Sequence, residues 1–236
     1  DVDSLDPGCT YRIWVTVADS NTISDIMNLT VCIYEAHSGV DSPDSPTCHY
    51  TFVWRNPSFA GPDAYLVLEQ CSAPHDMVQG QGTWMFAVRL EKVAEYSRNW
   101  VVMALAKDDA DKGSGSTGIS VNKYISASIS PQSVSLSGAP GRTVPVNENP
   151  LLLTYTSNAA VRLELQGSSF IGKDVPSFSL GPEAFIFDDD DELGESPEIA
   201  NPEMVLSQER RTFASDLPPG SAIVVKLFMY IHIPDP

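Results

Sequence analysis

Carboxylates are the residues in this chain best placed to do chemistry. Asp108, Asp109 and Asp111 stand just before Gly113, and hard oxygen ligands gathered in such a turn could hold Ca²⁺ and stiffen the chain there. The spacing departs from an EF-hand loop because no glutamate follows at the bidentate position, so a solvated turn is the competing reading. The acidic run 188–192 has the same donors, but runs of like charge usually mark loops. His37, His49, His75 and His232 are scattered. Only Cys48-His49 puts two soft donors side by side, and strand alternation sends such neighbours to opposite faces. No GxSxG elbow is present. Glu198 and Glu203 form a glycosidase pair only on paper, because prolines interrupt the segment and leave it without rigid support. No catalytic residue is assigned, so the expectation is a non-enzymatic protein with no cofactor beyond a structural Ca²⁺.

Four cysteines, Cys9, Cys32, Cys48 and Cys71, lie in the first third of the chain, with no CxxC spacing. An even number confined to one region predicts two disulfides. Strands on either side of a long loop bring Cys32 and Cys48 together, which favours Cys32–Cys48 with Cys9–Cys71; buried free thiols are the alternative. Asn28-Leu29-Thr30 is a glycosylation sequon, whereas Asn56-Pro57-Ser58 is disqualified by its proline. Both features point to an exported protein. The chain opens at Asp1 without an initiator methionine, which suits a processed or excised piece.

The elements that must position these residues are strands. In residues 99–130 two strand patterns meet across the acidic turn: Trp100, Val102, Ala104 and Ala106 alternate with Val101, Met103 and Leu105, as a central strand buried on both sides would. Residues 119–129 then alternate imperfectly and run into Ser130-Pro131, as an edge strand leaving its domain. Before this region, strands are expected at 11–17, 27–34, 48–54, 64–68 and 83–90, the second and third forming a hairpin with a long Ser/Asp/Pro/Gly loop. After it, strands are expected at 133–137, 151–156, 161–165 and 223–233. Prolines at 176, 182, 197 and 202 exclude a continuous helix through the acidic middle. The expected organisation is all-β, two tandem immunoglobulin-like β-sandwich domains over 1–126 and 127–236. Trp14, Trp54, Trp84 and Trp100 lie in or beside strands; four buried indoles are the common outcome, and an exposed row would suit sugar stacking.

A net charge of −17, from 14 basic and 31 acidic residues, opposes binding to a phosphate backbone and argues against nucleic acid. No apolar run is long enough to span a bilayer as a helix.

The segment Val102-Met-Ala-Leu-Ala-Lys-Asp-Asp-Ala-Asp-Lys-Gly-Ser114, a strand followed by an Asp/Gly/Ser turn, resembles the ends of immunoglobulin-like, polycystic-kidney-disease-like or cadherin-like domains of prokaryotic surface proteins. Val15-Thr-Val-Ala-Asp-Ser-Asn-Thr-Ile-Ser-Asp25 is similar to strand endings of such domains, especially archaeal ones. Leu153-Thr-Tyr-Thr-Ser-Asn158, Leu217-Pro-Pro-Gly220 and Leu227-Phe-Met-Tyr-Ile-His-Ile233 resemble β-sandwiches of archaeal envelope and fibre proteins. The resemblance implies an extracellular structural subunit of a cell-surface layer or filament, with copies of itself or other envelope proteins as partners. The alternatives are a carbohydrate-binding or adhesion module of a larger secreted protein and a viral spike or capsid protein. An apolar last strand, 222–233, invites the expectation of an open groove in the second domain, filled by a neighbour's residues before Tyr11.

Overall fold

A computed structural model of the chain describes residues 4–36, 50–75, 77, 80–135, 137–171, 179–188 and 204–235. The chain is all-β: no α-helix occurs among the described residues, only 3-10 turns such as Ile23–Asp25, Leu68–Gln70 and Pro182–Ala184. It divides into two compact units, Asp1–Tyr124 and Ile125–Pro236. No helix among the described residues is long and apolar enough to cross a membrane.

The first unit contains β1 (Ser4–Leu5), β2 (Thr10–Ala18), β3 (Asn28–Glu35), β4 (Tyr50–Arg55), β5 (Ser58–Ala60), β6 (Gln81–Arg89), β7 (Ser97–Lys107) and β8 (Lys112–Val121). Six of these make one sheet in the order β1-β8-β7-β3-β4-β5, while β2 pairs with β6 in a second. The expected hairpin of β3 and β4 forms with Leu29 opposite Trp54 and Ile33 opposite Tyr50. Period-two alternation then decides which side chains meet. Leu29, Phe52 and Trp54 from the large sheet and Trp84, Phe86 and Val88 from β6 form one core. The Trp54 and Trp84 rings pack edge to face with centroids 5.1 Å apart, and Phe59 meets Phe86 in the same way. On the other face of β3, Cys32 and Tyr34 are buried beside Val101 and Met103. β7 lies between β8 and β3 as a central strand, with Trp100, Leu105 and Ala106 buried and Val101 to Ala104 half-buried.

Two expected strands come out differently. Residues 64–68 form a turn instead, with the N–H groups of Tyr65 and Leu66 both donating to the carbonyl of Pro62, and only Leu66 bridging to Val88. The single strand expected over 119–129 is two: β8 ends at Val121, and β9 (Ile125–Ser130) belongs to the second unit. Asn122 makes the break, its backbone N–H donating to the Leu5 carbonyl and its side-chain amide to Ser4 Oγ and Asp6 Oδ1.

The second unit continues with β10 (Thr143–Pro145), β11 (Leu151–Ser157), β12 (Val161–Leu165), β13 (Phe170–Ile171), β14 (Ser179–Leu180), β15 (Phe185–Asp188), β16 (Met204–Val205), β17 (Arg211–Leu217) and β18 (Gly220–His232). Its large sheet runs β16-β15-β18-β11-β9, with β10 also on β18; β12 pairs with β17, and β13 with β14. The apolar C-terminal strand is therefore not an edge. β18 is flanked by β11 and β10 along one side and by β15 along the other, which corrects the expectation of a groove beside it. Nor do the residues before Tyr11 stand free, since Ser4 and Leu5 pair with β8 of their own chain. Between β10 and β11 the side chain of Asn149 replaces a strand residue, its amide donating to the Met229 carbonyl and its oxygen accepting from the Met229 N–H. The described residues of 133–137 are not in a strand; Glu148 holds this segment, its carboxylate accepting from the N–H and hydroxyl of Ser135. Those two bonds from Ser135 hold the Glu148 carboxyl below its usual range.

Phe86, fully buried between the two sheets of the first unit, carries much of that core. Phe86→Ala is expected to cost about 3–5 kcal/mol, read as a lower midpoint for the first unit's transition in urea at an unchanged slope.

Candidate functional site

A sheet of two strands cannot cover a sheet of six, because each added strand widens a layer by only about 4.8 Å. In the first unit the uncovered flank lies between β2 and the β7–β8 hairpin and forms a groove of about 750 Å³. Ile13, Val15 and Val17 of β2 face it and are only half-buried; Val102 and Ala104 of β7 lie across from them. β8 lines it with Gly113 and Gly115, where a Cβ would meet nothing within 4 Å. Asp19, Asp108 and Asp111 stand at one end beside Lys112. Among the described residues no backbone group pairs with the outer edge of β2, or with the outer edge of β8 between Lys112 and Ile119.

The second unit repeats this arrangement. Its paired strands β12 and β17 leave β9 uncovered, so Ile125 and Ile129 remain 58 % and 39 % exposed although they share a face with Leu153 and Tyr155 of β11. A smaller groove of about 390 Å³ lies there, walled by β9, β11 and β12. Arg162 and Arg210 line its rim, with Glu164 3.7 Å from Arg162. Every residue of β9 is exposed, and its outer edge carries no backbone partner among the described residues.

The carboxylates singled out as calcium ligands act in the turn. Asp108 Oδ1 accepts the backbone N–H groups of Asp111 at 2.5 Å and Ala110 at 2.7 Å, closing the four-residue connection of the β7–β8 hairpin. Asp111 Oδ1 accepts from the N–H of Lys112. Asp109 is exposed in the same turn. Among the described residues no three carboxylate, imidazole or thiol groups converge to hold a metal, and the hydrogen bonds place Asp108 and Asp111 in the closure of the hairpin. The bonds from Asp111 and Ala110 hold the Asp108 carboxyl below its ordinary value.

Cys9 is an exposed free thiol and Cys71 a half-buried one, so the expected Cys9–Cys71 bridge is not formed. Cys32 is disulfide-bonded, while Cys48 lies outside the described residues. Asn28 opens β3 half-buried, its Oδ1 accepting from the Thr30 hydroxyl at 3.4 Å. Trp54, Trp84 and Trp100 are buried and only Trp14 is exposed, at 62 %. His232 shares a hydrogen bond with Thr143 and His75 is exposed. His37, His49, Glu198, Glu203 and residues 189–192 lie outside the described residues. Sequence reading did not find the two flanks, and the one signal for them was β9 itself, whose Ile125-Ser-Ala-Ser-Ile-Ser130 alternation carries no charge and no proline. No family model matches the chain, and no curated protein matches it significantly.

Two measurements test this chemistry. Asp108 is an acid whose folded pKa is depressed, so its contribution to stability is fully present above the ordinary value of 3.8 and is lost as pH falls through the folded pKa. Asp108→Asn, which keeps the acceptor but removes the charge, is expected to melt with a shallower loss below about pH 4; Asp108→Ala, which removes the acceptor, is expected to melt lower at pH 7. Identical melting curves for wild type and both variants from pH 2 to 7 remove Asp108 from hairpin closure.

For the cysteines, thiol titration of the unfolded, unreduced chain is expected to give two reactive groups. In the folded protein Cys9 is expected to alkylate well before Cys71, whose thiol pKa is raised by burial. Four reactive thiols would mean that Cys32 is unpaired.

Proposed function

We propose that this chain is a non-enzymatic extracellular structural protein, two tandem immunoglobulin-like β-sandwich domains serving as a subunit of a cell-surface layer or filament whose copies join through β-strand contacts. One observation carries the reading: among the described residues the edge of β8 between Lys112 and Ile119 and the edge of β9 have no backbone partner, each beside an uncovered apolar flank. Chains that stay monomeric usually blunt such edges with inward charges, prolines, bulges or short strands. Between Gly113 and Ile119, and throughout β9, this chain has no charge and no proline. The sugar-binding alternative needs a platform of exposed aromatic rings, and Trp14 stands alone on its strand. The strong negative charge suits a surface that stays hydrated and resists indiscriminate association.

The purified chain is expected to grow heavier with concentration in sedimentation velocity at about 0.15 M salt and to form strings or sheets under negative stain. A single sharp monomer boundary up to about millimolar concentration, the regime of the weakest specific association, would refute the assembly reading.

A further inference from the structure

The two flanks differ in a way that makes them partners. The groove of the first unit ends in Asp19, Asp108 and Asp111 with Lys112 beside them, and the flank of the second unit carries Arg162 and Arg210 against a single acid, Glu164. Among the described residues each flank has one unpaired edge from a large sheet, β8 between Lys112 and Ile119 or β9, and one from a two-stranded sheet, β2 or β12. Each exposes branched side chains that belong to an interior: Ile13 and Val15 in one, Ile125 and Val161 in the other. We infer that the groove of the first unit receives the second-unit flank of another copy of this chain, β9 of one copy pairing along β8 of the next and bringing the flank that carries Arg162 and Arg210 against the groove that carries the aspartates.

The inference rests on the reading of the chain as a self-assembling subunit and names the surfaces that join. Joined in this way, the large sheet of one copy continues into that of the next, and β2 meets β12, so both layers extend together. The exposed faces of Ile125 and Ile129 then continue the apolar floor of Val102 and Ala104. Because β8 is lined with glycine and serine, an incoming strand meets backbone without side-chain obstruction and gains a ladder of main-chain hydrogen bonds. The contact is heterologous, since two different patches meet, so repetition builds an open string or, where the rotation closes, a ring. The opposite net charges of the two flanks favour this pairing over either flank against its own kind.

The test uses the whole chain with charges reversed at exposed or half-exposed positions: Asp19→Lys with Asp111→Lys on one side, Arg162→Glu with Arg210→Glu on the other. Far-UV circular dichroism and melting first establish that each variant is folded. Each variant alone is expected to associate at least roughly tenfold more weakly than wild type, and an equimolar mixture of the two to assemble again. Ile129→Lys, at an exposed site on β9, is expected to weaken association without charge rescue and serves if a double variant does not fold. If wild type assembles and the charge variants and Ile129→Lys assemble equally well, this pairing of flanks is wrong while strand-mediated assembly stands. If wild type stays monomeric, both fall.

Discussion

Coverage is the constraint on which the rest of this structure depends. A β-sheet is stable in water when at least one face is shielded, and the shield must be as wide as the face. In the first unit the shield consists of β2, β6 and the 62–72 segment bridged to β6, set against six strands. It is centred over β3 and β4, where Trp54, Phe52 and Leu29 are excluded from water by Trp84 and Phe86. Toward β8 the shield runs out. What remains is an apolar floor that is only half-buried, bordered by β2 and by the 112–119 stretch of β8, whose outer edges have no backbone partner among the described residues.

Chemistry at that border is consistent with its position. Side chains on the inner face of β8 shrink to glycine at 113 and 115, so the uncovered part of the sheet exposes backbone more than large apolar groups. Glycine weakens an isolated strand, but β8 is held along its whole length by β7 and at one end by β1. The hairpin connection is fastened from within by Asp108, whose carboxylate takes two backbone N–H groups that would otherwise need water. The other end is fixed by Asn122 on Ser4, Leu5 and Asp6, with Lys123 over the Tyr96 ring at 4.9 Å. The edge is thus fastened at both ends, and between them it has no backbone partner among the described residues.

The second unit solves the same coverage problem with different residues. Its long strand β18 changes partners along its length, with β11 on its first half and β10 and β15 on its second. Asn149 fills the gap between β10 and β11 so that the Met229 peptide groups stay bonded. Tyr155 closes the core beneath, its hydroxyl donating to the Pro218 carbonyl and its pKa raised by burial. β9, at the far end of the sheet, again receives no cover.

How much was legible in the sequence follows from the range of the interactions involved. Alternation within one strand is local, so the all-β class, the β3–β4 hairpin, β7 as a central strand and residues 161–165 could all be read from side-chain period alone. β17 escaped because Arg211-Thr-Phe-Ala-Ser-Asp-Leu217 carries too few apolar residues for a clear pattern, though Phe213 and Leu217 are buried in the core. The Asp108 cluster was legible as a turn, but its work as a hairpin closure depended on where Oδ1 points. By itself the sequence determined which faces are apolar and where the turns fall. Only the tertiary structure decided how many strands each sheet receives and which edges stay open, because strand pairing is set by contacts between residues far apart in the chain, and nothing in a strand's own period says what will lie beside it.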